Sequence, residues 1–287
     1  MKPSKNVPIT FTCDRLLPAR PQGAQIIRHR KDTNQPALPT MLALKPSIKA
    51  GGLGLFATQA IPAGTRIFTE APIIEFTHPP TPFEILTAVE ELPLADKQAY
   101  LSLTYAHDLD ELPTYSLPEG LSDISADRVK QLVAIFENNA FDIPGSSSGV
   151  PGAGIFLQGT RIHHSCLPNV SHSWNKQLNA KVFHALRDLE KGEELTISYI
   201  LPFQAREARQ RYLLEKHGYV CQCVACDREA IFGRASEGRS NEIQDLHVQW
   251  NGSRGEGGGW MQEKVLCERL LELVEEEGLR ARCVGNL

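Results

Sequence analysis

Gly159-Thr-Arg-Ile-His-His-Ser-Cys-Leu-Pro-Asn-Val-Ser-His-Ser-Trp174 is the stretch on which the reading of this chain turns. Its core, His163 to Asn169, sets two imidazoles, a hydroxyl, a thiol and an amide around Pro168, a residue that stops any helix. So dense a polar run is a loop with chemistry to do rather than a packing segment. Alone the signal is weak. It gains weight from Cys221-Gln-Cys223-Val-Ala-Cys226 downstream, whose spacing suits three thiolates on one ion.

Three cysteines fill three of the four tetrahedral positions that zinc prefers. Cys166 is the best candidate for the fourth, because Pro168 constrains its loop; His163, His164 and His172 are alternatives. The plain alternative to a metal is three buried thiols. Four sulfurs on one zinc would make the site structural, tying the C-terminal segment back onto the central loop. Cys13, Cys267 and Cys283 stand apart and read as ordinary thiols. An odd set of seven cysteines, three of them crowded together, is no disulfide framework, so a reducing compartment, cytoplasm or nucleus, is expected.

The 287 residues suffice for one large domain, or one domain with an appendage. With 41% hydrophobic and 22% charged residues the composition is that of a globular protein. No apolar run approaches the roughly 18 residues that would cross a bilayer, and neither a membrane span nor a secretory leader is expected. A net charge of −4 provides no broad basic surface, so direct nucleic-acid binding is not expected.

Residues 1–40 are rich in proline, with scattered Lys and Arg, and read as an extended or disordered leader. From Met41 short strand patterns alternate with glycine turns: Lys49 to Ala57, Ala60 to Phe68 and Ile73 to Phe76. The turn Ile61-Pro-Ala-Gly-Thr-Arg66 resembles Leu189-Glu-Lys-Gly-Glu-Glu194, although two copies make no repeat architecture. Between 79 and 143 the period turns helical. Phe83 to Leu92 and Leu94 to Tyr105 are short helices split by Pro93; Ser125 caps a third, with Val129, Leu132, Val133 and Phe136 inward, which ends at Asn138-Asn139.

Residues 144–154 read as a flexible loop, and strands return at Ile155 to Leu157, Lys181 to Leu186 and Leu195 to Ile200. Pro202 opens a helix with Ala205, Ala208, Tyr212 and Leu213 on one face and Gly218 as its stop. After Asp227 a linker leads to an amphipathic helix, Met261 to Glu277, with Val265, Leu266, Leu270, Leu271 and Val274 inward. Its last turn carries Glu275, Glu276 and Glu277, the unfavourable sign for the helix dipole.

Five of these segments, in order, resemble the motifs of the SET-domain protein methyltransferases, especially fungal members related to the SET-and-MYND group. They are Gly52-Leu-Gly54-Leu-Phe-Ala, Asn139-Ala-Phe141, His-His-Ser-Cys-Leu-Pro-Asn, Glu193-Glu-Leu-Thr-Ile-Ser-Tyr199 and the cysteine segment. The resemblance covers about 45–230. It implies an α+β chain: a β-rich SET fold at 41–230 with a helical insert at 79–143, a post-SET zinc segment at 218–227, and 231–287 as linker and C-terminal helix. It further implies S-adenosylmethionine as cofactor, with Gly52, Leu53, Gly54, Asn139, His163, His164, Tyr199 and Tyr219 around it. Tyr199 would be the catalytic tyrosine, and Cys166, Cys221, Cys223 and Cys226 would hold zinc.

Three positions depart from the family pattern. His163 stands where the motif begins with Asn, Leu53 where a basic residue is common, and His217 where related enzymes often carry a second tyrosine. An imidazole does not reproduce an amide's paired donor and acceptor. No cysteine-rich MYND module interrupts the first half. The expected function is methyl transfer from S-adenosylmethionine to a protein lysine, by a monomer. The alternative, motivated by His163 and His217, is a SET fold that binds the cofactor but acts on a small molecule of fungal secondary metabolism, or serves as a binding module.

Overall fold

The computed structural model describes residues 26–27, 38–48, 51–106, 108–115, 124–144, 151–200, 204–253 and 260–278. The strands are β1 (Ile26–Ile27), β2 (Leu42–Pro46), β3 (Leu53–Ala57), β4 (Arg66–Glu70), β5 (Ile74–Phe76), β6 (Phe141–Ile143), β7 (Gly152–Ile155), β8 (His163–His164), β9 (Val170–Asn175), β10 (Ala180–Ala185) and β11 (Thr196–Ile197). The helices are α1 (Pro82–Glu90), α2 (Leu94–Leu101), α3 (Ala126–Asn139), α4 (Arg206–His217), α5 (Ile231–Ser253) and α6 (Trp260–Glu276). Four small sheets result, ordered β1-β5-β7-β6, β4-β10-β9, β11-β8 and β2-β3. Only β11 with β8 is parallel among the described pairs.

The helical insert forms as its local signals direct. Thr81 and Glu84 close a capping box at α1, with Pro82 in the first turn, and the Ser125 hydroxyl accepts from the Arg128 amide at 3.2 Å to start α3. Val129, Leu132, Val133 and Phe136 are buried together with Ile85, Val89, Phe76 and Ile155 in one core. Tyr100 is fully enclosed there, its hydroxyl donating to the Leu132 carbonyl at 2.7 Å. A second core lies between the small sheets, around Leu55, Ile162, Phe183, Leu189 and Leu195.

The two similar glycine turns pair with each other. Ile61 and Leu189 exchange backbone hydrogen bonds of 3.0 and 2.9 Å, and Gly64 and Gly192 take φ of +78° and +89° in the two turns. The likeness in sequence thus reflects one antiparallel contact made from both sides.

Several expectations need correction. Ile26–Ile27, inside the segment read as leader, form an edge strand on β5; the remainder of 1–37 lies outside the described residues. The 144–154 segment is not all loop, because β7 begins at Gly152; glycine is required there because a Cβ would collide with the Phe76 carbonyl oxygen of the neighbouring strand. The span read as linker holds the long helix α5, which packs along α6. On α6, Leu266, Leu273 and Val274 are buried whereas Val265 and Leu271 are exposed. Glu277 is buried, accepting from Arg239 Nε at 2.6 Å and from the Ser236 hydroxyl at 3.0 Å, so cross-helix pairing answers its charge. Pro202 lies outside the described residues, and α4 starts at Arg206.

Lys181 on β10 is 3% exposed. Its ammonium sits over Phe141 and Phe156 at 5.2 and 5.7 Å and beside His172 Nδ1 at 3.5 Å. Burial pushes its pKa down to about 8, against a smaller upward pull from Asp142.

Candidate active site and cysteine cluster

The parallel pairing of β8 with β11 sets His163 opposite Thr196 and His164 opposite Ile197. Asn169 secures it. Its amide nitrogen donates to Glu193 Oε1 at 2.9 Å and the Glu194 carbonyl at 2.8 Å, while its oxygen accepts from the Thr196 amide at 2.7 Å and hydroxyl at 3.2 Å. At 3% exposure this amide uses donor and acceptor together to bind the histidine loop to the following acidic segment.

Tyr199 is held at both ends. Its backbone amide donates to His164 Nδ1 at 3.0 Å, and its hydroxyl donates to the Ile162 carbonyl at 2.8 Å. Burial drives the hydroxyl pKa upward, and the Glu194 charge adds to the shift, so Tyr199 keeps its proton. The His217 ring lies 4.9 Å from the Tyr199 ring, and Tyr212 and Tyr219 lie 6.2 and 6.4 Å from His217. Burial raises the Tyr219 hydroxyl as well.

His163 has taken a partner of its own. Its Nδ1 lies 2.6 Å from Glu194 Oε1, and the Ser47 hydroxyl donates to Glu194 Oε2 at 3.0 Å. Gly54 packs against this pair: a Cβ there would come within 2.5 Å of Glu194 Oε1 and 3.0 Å of His163 Nδ1. The need for glycine at position 54 therefore arises within the protein. Gly52 differs, with φ +63° and open space for 4 Å around the place a Cβ would take, and Leu53 is 42% exposed. Neither is drawn into the cluster by a side-chain contact.

Asn139 ends α3 with its amide nitrogen donating to the Ile135 and Thr104 carbonyls at 2.8 and 2.7 Å. The 102–106 segment is thereby tied to the end of α3. Ser102 accepts from Arg161 at 2.9 Å, and Ala106 packs so near Gly218 that a Cβ there would lie 2.9 Å away. Gly218, with φ +71°, closes α4 as its sequence suggests.

Cys166, Cys221, Cys223 and Cys226 have all their sulfurs within 4.8 Å of one another. Cys166 Sγ is 4.0 Å from Cys221 Sγ and 3.5 Å from Cys226 Sγ. Sulfurs about 2.3 Å from a common zinc sit about 3.8 Å apart in a tetrahedron, so the donor set and its spacing fit that ion. Mutual hydrogen bonding, first with Cys221, raises the Cys166 thiol, whereas that from Cys166 lowers Cys223. Of the alternative fourth ligands, His163 faces Glu194, His172 faces Lys181, and His164 stands behind the cluster. Because His164 Nδ1 accepts from Tyr199, its Nε2 is the donor, directed at Cys166 Sγ 3.4 Å away. Cys267 is partly buried and outside the cluster; Cys13 and Cys283 lie outside the described residues.

Sequence reasoning missed the Glu194 partner, the Asn169 bracket and the inward face of α4. On that helix Ala208 and Tyr212 point outward, and the buried residues are Arg206, Arg209 and Leu213. A pattern that counts apolar residues passes over buried arginines. The signal available was Arg206, Arg209 and Gln210 at i, i+3 and i+4, one helical face.

A family model described as the SET domain matches residues 52–200. The chain is 33% identical over 195 residues to histone-lysine N-methyltransferase set5 of Schizosaccharomyces pombe, covering 68% of this chain and 51% of that protein. It is 27% identical over 143 residues to histone-lysine N-methyltransferase SMYD3 of Mus musculus, covering 46% and 31%. It is 40% identical over 79 residues to histone-lysine N-methyltransferase SET5 of Meyerozyma guilliermondii, covering 26% and 16%. The chain thus spans about half the length of the first of these relatives and less of the others. With a family model matching more than half of the chain, this protein belongs to the SET domain family.

Proposed function

We propose that this chain is an S-adenosylmethionine-dependent protein-lysine methyltransferase, with Tyr199 as its catalytic tyrosine. One observation carries the reading: Tyr199 is fixed through its hydroxyl to Ile162 and through its amide to His164, among the rings of His164, His217 and Tyr219. The unit proposed to do this work is 41–230, with 231–287 appended. Its partners are lysine-bearing proteins of the cytoplasm or nucleus, consistent with the names its relatives carry.

The residues suit the cofactor. With its amide nitrogen committed to two carbonyls, Asn139 offers Oδ1 to an ammonium, and the partly buried Tyr219 ring offers a face to a flat purine. Gly52, Leu53, Gly54, His163 and His164 complete the proposed surround. Bound S-adenosylmethionine supplies an electrophilic sulfonium methyl.

The protein's part is to position and to dry. A lysine ammonium, with an unperturbed pKa of about 10.4, is favoured over aromatic faces, and enclosure lowers its pKa toward the neutral amine that reacts. Tyr199, donating its own proton to Ile162, presents oxygen lone pairs to that amine and does not act as the base. Fixing the amine in line accounts for much of the acceleration in such a reaction.

The His163–Glu194 pair motivates a second reading, a cofactor-binding SET fold that acts on a small molecule or serves as a binding module. Radiolabelled methyl transfer to core histones and whole-cell protein, combined with calorimetry of cofactor binding, separates the two. Transfer lost in Tyr199→Phe with binding retained supports the first. Cofactor binding without transfer to any protein supports the second, and no cofactor binding removes both enzyme readings.

A further inference from the structure

Helix α4 turns two cations inward where a helix of this kind normally buries apolar groups. Arg206 and Arg209 are 8% and 4% exposed, and both lie against the Cys221–Cys226 loop. Arg206 donates to the Cys226 carbonyl at 2.9 Å. Arg209 donates to the Gln204 carbonyl at 2.5 Å, the Ala225 carbonyl and the Cys226 sulfur at 3.5 and 3.9 Å, and the Ser240 hydroxyl at 3.4 Å. Gln210, one residue on, accepts from the Cys221 amide at 2.8 Å and donates to its carbonyl at 2.7 Å.

Hydrogen bonds to carbonyls explain the placement of these side chains but not their charge. A buried guanidinium without an opposite charge is costly. Arg206 has Glu237 Oε2 3.8 Å away, on a half-exposed carboxylate. Among the described residues no carboxylate lies within ion-pair distance of Arg209, and its Nε is buried without a hydrogen-bond partner. The charge that Arg209 faces is the cysteine cluster. Four thiolates on a divalent zinc carry a net charge of about −2, which is itself unfavourable away from water.

We propose that Arg209, with Arg206 beside it, supplies the countercharge of a four-thiolate zinc site, so that metal affinity depends on the charge of α4 and not on the cysteines alone. The inference rests on reading the four cysteines as a zinc site. Arg209 is a positioning residue that acts through the sulfurs. Because it also reaches Ser240 on α5, zinc, α4 and the C-terminal helical pair are held by one group. The competing account is that the arginines only staple α4 to the loop through its carbonyls.

The two accounts separate by charge. On the full chain, zinc affinity is measured by competition with a chromophoric chelator at fixed pH and salt for Arg209→Met, Arg209→Lys and the exposed control Arg211→Met. Melting temperatures are taken with zinc and after chelation. Arg209→Met is expected to bind zinc about 10- to 100-fold more weakly, the range for groups behind metal ligands. Arg209→Lys should stay within a few-fold of the native chain, Arg211→Met should match it, and metal-free Arg209→Met should melt no lower than the metal-free native chain. Zinc affinity of Arg209→Met within threefold of native, or an equal fall in melting temperature with and without zinc, would overturn the proposal in favour of a staple. Where Arg209→Met does not fold, Arg209→Gln, which is neutral but still able to donate to the loop carbonyls, takes its place under the same criteria. A native chain that binds no zinc defeats the metal reading itself, an outcome distinct from a native site that ignores the charge of α4.

Discussion

His163 Nδ1 and Glu194 Oε1 meet at 2.6 Å beneath Gly54, joining two motifs that are 31 residues apart. The imidazole at the first position of the histidine motif is therefore anchored rather than idle. Because a Cβ at position 54 would reach to 2.5 Å from Glu194, Gly54→Ala forces the pair apart. We expect a loss of about 1–3 kcal/mol in stability by urea unfolding. Cofactor affinity should also fall about tenfold or more by calorimetry; unchanged values for both would show that the pair yields without consequence.

Asn169 answers four polar groups from a site with almost no exposure. Asn169→Ala leaves the Thr196 amide and the Glu194 carbonyl without their partner, so a loss of about 3 kcal/mol is expected in chemical denaturation. Asn169→Asp should do little better, since a carboxylate cannot donate to Glu193 or to the Glu194 carbonyl.

Cys166 is the one cluster member contributed from outside the 221–226 loop. Cys166→Ser should lower zinc retention through dialysis against a chelator at least about tenfold, read by elemental analysis. Full retention would show that another group completes the site.

Lys181 gives stability an alkaline signature. Its folded pKa of about 8 lies below the ordinary lysine value of about 10.4, so the unfolded chain binds more protons between those limits and stability rises with pH across them. Below pH 8 burial of the charge costs at most about 3 kcal/mol by that difference, offset in part by the aromatic faces. Lys181→Met should therefore melt higher than the native chain at pH 7, with the gain shrinking toward pH 10. A variant that melts lower at both pH values would show the ammonium to be a net stabiliser.

The site was legible where chemistry is local. Ser125 and Gly218 act on backbone groups within a few residues, so capping rules found them, and the same rules explain the Thr81 cap that the sequence reading passed over. The cysteine spacing pointed to one ion before any fold was in view, and the tetrad includes the Cys166 singled out for its loop. Helix α3 buried the residues its period named.

What the sequence determined, then, is the identity of the segments: the ordered motifs that mark the family, the capped helices and the cysteine spacing. Only the tertiary structure decided the partners. Glu194 could have faced solvent, as acidic residues in a glycine turn usually do, until β8 and β11 paired and brought His163 against it. The apolar pattern of α4 passed over Arg206 and Arg209, because burial of a cation is favourable only where opposite charge has already been gathered. Four sulfurs from two distant segments do that gathering; the spacing of Arg206, Arg209 and Gln210 marks one face of α4 but not what that face meets.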